Sequence, residues 1–149
     1  MAVRDAHRSP EDLLRELTEE LLDAAPAAWS GLLYRATVVG DVRRDGLSVD
    51  TGRGTRQLPG VPAAVRSTVD RLKRAMWVPD RGTWLSVQVH VREGAGSRPP
   101  RLRVDASYDH EPDGAPIPRD AWVAELRRFP RPTAAVPGWL TRRILGDAG

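Results

Sequence analysis

R-G-T-W-L-S-V-Q-V-H-V-R, residues 81 to 92, and R-L-R-V-D-A-S-Y-D-H-E-P, residues 101 to 112, alternate apolar and polar side chains on either side of a Gly/Ser/Pro-rich break. Such alternation is the signature of strands with one buried and one solvated face, and two of them in tandem predict an antiparallel hairpin. Leu85, Val87, Val89 and Val91 share one face, with Ser86, Gln88, His90 and Arg92 on the other. In the second strand Leu102, Val104, Ala106 and Tyr108 alternate with Arg101, Arg103, Asp105 and Ser107. A one-residue slip would carry every apolar side chain into water, so the register is strongly specified.

Upstream, Ser9-Pro10-Glu11-Asp12 supplies an N-cap, a proline in the first turn and two acids where the helix dipole is positive. Leu13, Leu14, Leu17, Leu21 and Leu22 then form one apolar stripe before Pro26. The run Leu32 to Val39 reads as a strand, Asp41 to Gly46 as a turn carrying an Asp-Gly signal, and L-S-V-D as a short strand. Thr51 to Gly60 reads as a loop. Its G-x-G lacks the third glycine, the lysine and the following helix that phosphate binding requires. A second amphipathic helix is expected from Pro62 to a point before Pro79, with Val61, Val65, Val69, Leu72 and Met76 inward. Arg66, Asp70, Arg71, Lys73 and Arg74 sit off that stripe.

Downstream, Asp109 to Gly114 leaves the hairpin as a turn. Arg119 to Phe129 reads as a third helix with Trp122, Val123, Leu126 and Phe129 inward, and Trp139 and Leu140 dock a last helical turn. The expectation is a single α+β domain over residues 9–145, in which about four antiparallel strands pack against two main helices. A third helix and the docked C-terminal segment complete it, with a flexible leader at 1–8 and a flexible tail at 146–149.

Composition narrows the functional classes. A chain of 149 residues supports one substantial core, and 40% hydrophobic with 29% charged residues is the balance of a globular protein. The absence of cysteine excludes disulfides, thiolate metal sites and a cysteine nucleophile. No apolar run reaches the length of a spanning helix and no signal-peptide core opens the chain, so a soluble, cytoplasmic protein is expected. A net charge of +3, with arginines interleaved among acids, argues against a strong nucleic-acid binder. Lys73 is the sole lysine among 23 basic residues, a bias in keeping with GC-rich coding.

The densest chemistry is Asp109, His110, Glu111 and Asp113, where acids flank a histidine in the manner of a divalent-metal or acid–base site. Alternate residues of a turn do not converge by themselves, and no second cluster completes a shell, so a carboxylate-capped turn is preferred. His90 stands alone on the polar face, within reach of Asp105 or Arg103 across the hairpin. No serine lies in a G-x-S-x-G or S-x-x-K setting. No catalytic residue, cofactor or metal is therefore assigned. The alternatives are a metal-dependent enzyme using the Asp109 to Asp113 cluster and a weak nucleic-acid-binding domain.

Several segments together carry a family likeness. They are A-A-P-A-A-W (Ala24 to Trp29), L-L-Y-R-A-T-V (Leu32 to Val38), R-G-T-W (Arg81 to Trp84), the Y-D-H-E-P turn, and E-L-R-R-F-P-R before P-G-W-L. The chain resembles the YezG-like immunity proteins of bacterial polymorphic toxin systems and the related accessory domain of actinobacterial toxins, over roughly Ser9 to Leu145. The resemblance implies a small α+β antitoxin that blocks a cognate toxin without chemistry of its own. The family tends to be more acidic and richer in aromatics, so its target surface is not carried over. Exposure and chemistry nominate Gln88, His90, Arg92, Arg101 and Arg103 on the wet face of the hairpin, with Tyr108, Asp109, Glu111 and Asp113 in its exit turn, as partner-binding residues. The expected partner is a toxin or neighbouring-gene product, with no membrane involved.

Overall fold

The periodicities of the chain resolve into one five-stranded antiparallel sheet with helices on one face and at one end. The structure, a computed structural model, describes residues 8–96 and 98–146. The leader and tail expected to be flexible lie outside these residues except for Arg8, which pairs with Glu16, and Gly146. In chain order the elements are α1 (Pro10–Ala24), β1 (Trp29–Val39), β2 (Val42–Thr51), β3 (Gly54–Gln57), α2 (Ala63–Ala75), β4 (Ser86–Arg92), β5 (Arg101–Ser107), α3 (Arg119–Arg128) and α4 (Gly138–Leu145). A short 3-10 turn at Thr133–Ala135 precedes α4. The strand order is β3-β2-β1-β4-β5.

Helix α1 begins as its cap chemistry requires, the Ser9 hydroxyl accepting from the Asp12 amide at 3.1 Å. Leu13, Leu17 and Leu21 are buried against Val65, Val69 and Leu72 of α2 and against Leu32, Tyr34, Leu47, Val49, Val87, Val89 and Val91 of the sheet. A second, smaller core lies where α3 and α4 meet the end of β1 and the start of β4. It is built from Val39, Leu85, Ala121, Trp122 and Leu140, and Trp122 meets Trp139 edge-to-face at 5.2 Å.

Two readings of the sequence are corrected. The turn between β1 and β2 is Gly40-Asp41, and Asp45-Gly46 lies inside β2 opposite Ala36 and Arg35. Gly40 takes φ 56°, and any side chain there would press on the Ala121 carbonyl of α3, which approaches to 2.5 Å from a Cβ position. Asp45 is drawn out of turn chemistry by its partners: its carboxylate accepts from the Tyr34 hydroxyl at 3.2 Å and from two Arg66 nitrogens at 2.9 Å. The second correction is the Thr51 to Gly60 loop, where Gly54–Gln57 pairs with Ser48–Thr51 as a fifth strand. Its side chains are all exposed, so no apolar alternation marks it.

Candidate functional site

Because β1 alternates as regularly as the hairpin does, it divides the sheet into two unlike faces. Leu32, Tyr34, Ala36 and Val38 point to the helices, while Leu33, Arg35 and Thr37 point away. The pairing aligns Thr37, Arg35, Leu33 and Gly31 in turn with Arg44, Gly46, Ser48 and Asp50 of β2 and with Ser86, Gln88, His90 and Arg92 of β4. Those of β4 lie opposite Ser107, Asp105, Arg103 and Arg101 of β5. Among the described residues no helix lines the cleft on this face. Over β1, β2 and β4 this cleft measures about 710 Å³ and is reached by Arg35, Ser48, Gln57, Ser86 and Gln88. One end is walled by the loop after β5, where Arg44 donates to the Ala115 carbonyl at 2.6 Å and Asp113 reaches the rim.

The charges on the open face are unevenly placed. Arg92 and Arg101 are directly opposed across β4 and β5, and Arg103 opposes His90. The like charges of Arg92 and Arg101 in that relation destabilise the strand pair. The nearby relief is Asp105, 3.3 Å from Arg103 on the same strand. Arg35, between Gly46 and Gln88, is exposed. Arg35, Arg92, Arg101 and Arg103 thus share the face with two acids, Asp50 and Asp105.

The nine residues nominated from sequence separate into two groups. Gln88, His90, Arg92, Arg101 and Arg103 share the open face, and Asp113 reaches its rim. Tyr108, Asp109 and Glu111 are tied into the body instead. Tyr108 is half-buried with the Arg81 guanidinium 3.9 Å from its ring centre. Asp109 pairs with Arg131 at 3.1 Å, and Glu111 with Arg143 at 2.6 Å. Asp109 also offers its carbonyl to the Trp139 indole at 2.8 Å. Asp109 and Glu111 are therefore divided between separate arginines, and among the described residues no three His, Asp or Glu side chains converge as metal ligands. Arg35, Leu33, Ser48 and Gln57 were not nominated. The signal for Leu33 and Arg35 lay in the alternation of β1 and that for Ser48 in β2, whereas no alternation marks Gln57 in β3, and only the strand order brings these strands beside β4.

A deeply buried ionisable pair was also missed. Lys73, read as lying off the apolar stripe of α2, is buried, and its ammonium donates to the Val38 carbonyl at 2.5 Å and the Trp84 carbonyl at 2.9 Å. Its third contact is the Glu125 carboxylate of α3 at 2.9 Å, both side chains being 3% exposed. Glu125 in turn accepts from the Gly40 amide at 3.0 Å. The rings of Trp84 and Phe129 flank the ammonium at 5.2 and 5.3 Å. Burial holds the Lys73 pKa below its ordinary value, while the Glu125 carboxylate opposes that shift. A nucleophilic or general-base lysine needs a lone pair free to meet substrate, whereas all three donors here are directed to protein oxygens. The pair closes the seam between the two cores.

Fold and site together define an α+β domain with one helix-covered and one open sheet face. No protein-family model matches the chain, and no curated protein matches it. Among the described residues no helix is long and apolar enough to cross a membrane.

Proposed function

We propose that this chain is a non-catalytic protein-binding domain that occludes a partner with the open face of its sheet. The observation that carries the reading is the contrast between the two faces: one is sealed by α1 and α2, and the other leaves a broad cleft lined by Arg35, Arg44 and Arg56, with Arg92, Arg101 and Arg103 farther along the same face. Such a face suits a partner whose surface is acidic, because its arginines outnumber the acids Asp50 and Asp105 beside them and complementary charge also steers the encounter. The division of Asp109 and Glu111 between Arg131 and Arg143, and the full commitment of Lys73, support binding over chemistry.

Within that class, the likeness to YezG-like proteins favours an immunity protein or accessory module of a polymorphic toxin system, acting in the cytoplasm of the producing cell. Its target is then the product of a neighbouring gene, blocked by occlusion of a functional surface. Co-expression tests this directly. The chain is expected to co-purify with that product in a stable complex and to restore growth to cells the product poisons. A product that neither binds nor is neutralised would sink the reading. A complex without growth protection would leave partner binding standing and remove the immunity role.

A further inference from the structure

The sheet ends in two unlike edges. β3 is four exposed residues with no apolar side chain, Gly54–Gln57, whereas β5 presents seven residues, Arg101–Ser107, with Leu102 39% exposed among them. A long edge that carries apolar surface is an invitation to strand addition. The direction of its free backbone groups follows from the ladder. The Val38 amide donates to the Leu85 carbonyl at 3.0 Å and the Glu93 amide to the Ser30 carbonyl at 2.9 Å, so odd-numbered residues of β4 bond to β1. Even-numbered residues of β4 then bond to β5, opposite its odd-numbered positions. The amides and carbonyls of Leu102, Val104 and Ala106 are left facing outward.

We infer that this edge pairs with the same edge of a second copy of the chain, about a two-fold axis at Val104. In that register Val104 meets its counterpart and Leu102 meets Ala106, each through the outward backbone groups. Arg103 then lies opposite the second copy's Asp105, and Asp105 opposite its Arg103. These are non-hydrogen-bonded positions, where antiparallel side chains approach most closely. Shifting the register by two residues either way, the smallest slip that keeps the outward groups paired, sets Arg103 against Arg103 or Asp105 against Asp105. The charge order along β5 thus selects one self-complementary register. The sheets join into one of ten strands with all helices on one side, both open faces on the other, and Leu102 covered. This inference stands apart from the identity of any toxin partner.

Sedimentation equilibrium of the full chain tests it. The expected mass is twice the 16.4 kDa of one chain across the micromolar range. Val104→Pro removes an outward amide while sparing the β4 ladder, and is expected to return the mass to that of one chain. Arg103→Asp opposes two acids in each pair and is expected to dissociate the dimer, and adding Asp105→Arg restores it. That swap decides the matter even where the proline variant fails to fold. A wild-type chain that stays monomeric, or a dimer that survives Arg103→Asp, overturns the inference. A monomer that accepts a strand from a different protein at β5 also overturns it.

Discussion

The Lys73 ammonium lies 2.9 Å from the Glu125 carboxylate, joining α2 to α3 across the seam between the two cores. In a chain that otherwise uses arginine for its basic residues, the lone lysine occupies a position where three donors must diverge from one compact nitrogen. A planar guanidinium cannot reproduce that geometry.

Lys73→Met is therefore expected to destabilise the fold by about 3–5 kcal/mol, because Glu125 remains buried without its cation. Lys73→Arg is expected to be nearly as damaging. Lys73→Met combined with Glu125→Gln should recover part of the loss, since the amide oxygen still accepts from Gly40 and no buried charge is stranded. Urea unfolding of the three variants checks the order.

Arg131 is the second tie. Its side chain, 2% exposed, donates to the carbonyls of Thr83 at 3.0 Å, Ala135 at 3.1 Å and Tyr108 at 2.5 Å as well as to Asp109. Arg131→Ala leaves partly buried carbonyls without donors and is expected to cost about 2–4 kcal/mol. Gly82→Ala attacks the same contact from the other side, since Gly82 has φ 86° and a Cβ there would lie 2.6 Å from the Arg131 Cγ. Hydrogen exchange in both variants should rise first in the Tyr108 to Asp113 turn and in α4.

The Tyr34 phenol gives a pH signature. Burial, with the Asp45 carboxylate beside it, pushes the phenol pKa well above its ordinary value of 10.0. The folded state holds the proton more tightly than the unfolded state, so the stability this group contributes is complete below pH 10 and declines as pH rises beyond it. Tyr34→Phe is expected to lose about 1 kcal/mol near neutral pH, the value of a hydrogen bond whose acceptor keeps other donors. The gap between wild type and Tyr34→Phe should narrow above pH 10 in denaturant titrations, and a gap constant to higher pH would contradict the assignment.

The buried face of the sheet was legible in the sequence because Leu85 to Val91 and Leu13 to Leu21 carry unbroken periodicities that only one packing satisfies. The open face was half legible. Gln88, His90, Arg92, Arg101 and Arg103 declare themselves by alternation, but the addition of Arg35 and Ser48 depends on β1 lying between β2 and β4, which no local pattern states. Asp45-Gly46 misleads for a related reason: its local turn preference yields to Tyr34 and Arg66, distant in sequence. Lys73 and Glu125 were illegible because each reads as a solvated charge on its own helix, and only the meeting of α2 and α3 buries them together.

Asp109→Asn and Glu111→Gln distinguish a tied turn from a metal site. Each loses one arginine pair at a partly exposed position, so a small loss of stability is expected. Calorimetric titration of the wild-type chain with magnesium, manganese or zinc is expected to give no binding isotherm that these substitutions abolish.

The central claim is that the open sheet face holds the partner. Its most direct test is calorimetric titration of the neighbouring-gene product into wild type and into Arg35→Glu, a substitution on the open face well away from both cores. The account predicts a saturable complex with wild type and affinity weakened at least about tenfold by the reversal, the effect of losing roughly 1.4 kcal/mol. Equal affinity for the two proteins, or no complex with wild type, would contradict it.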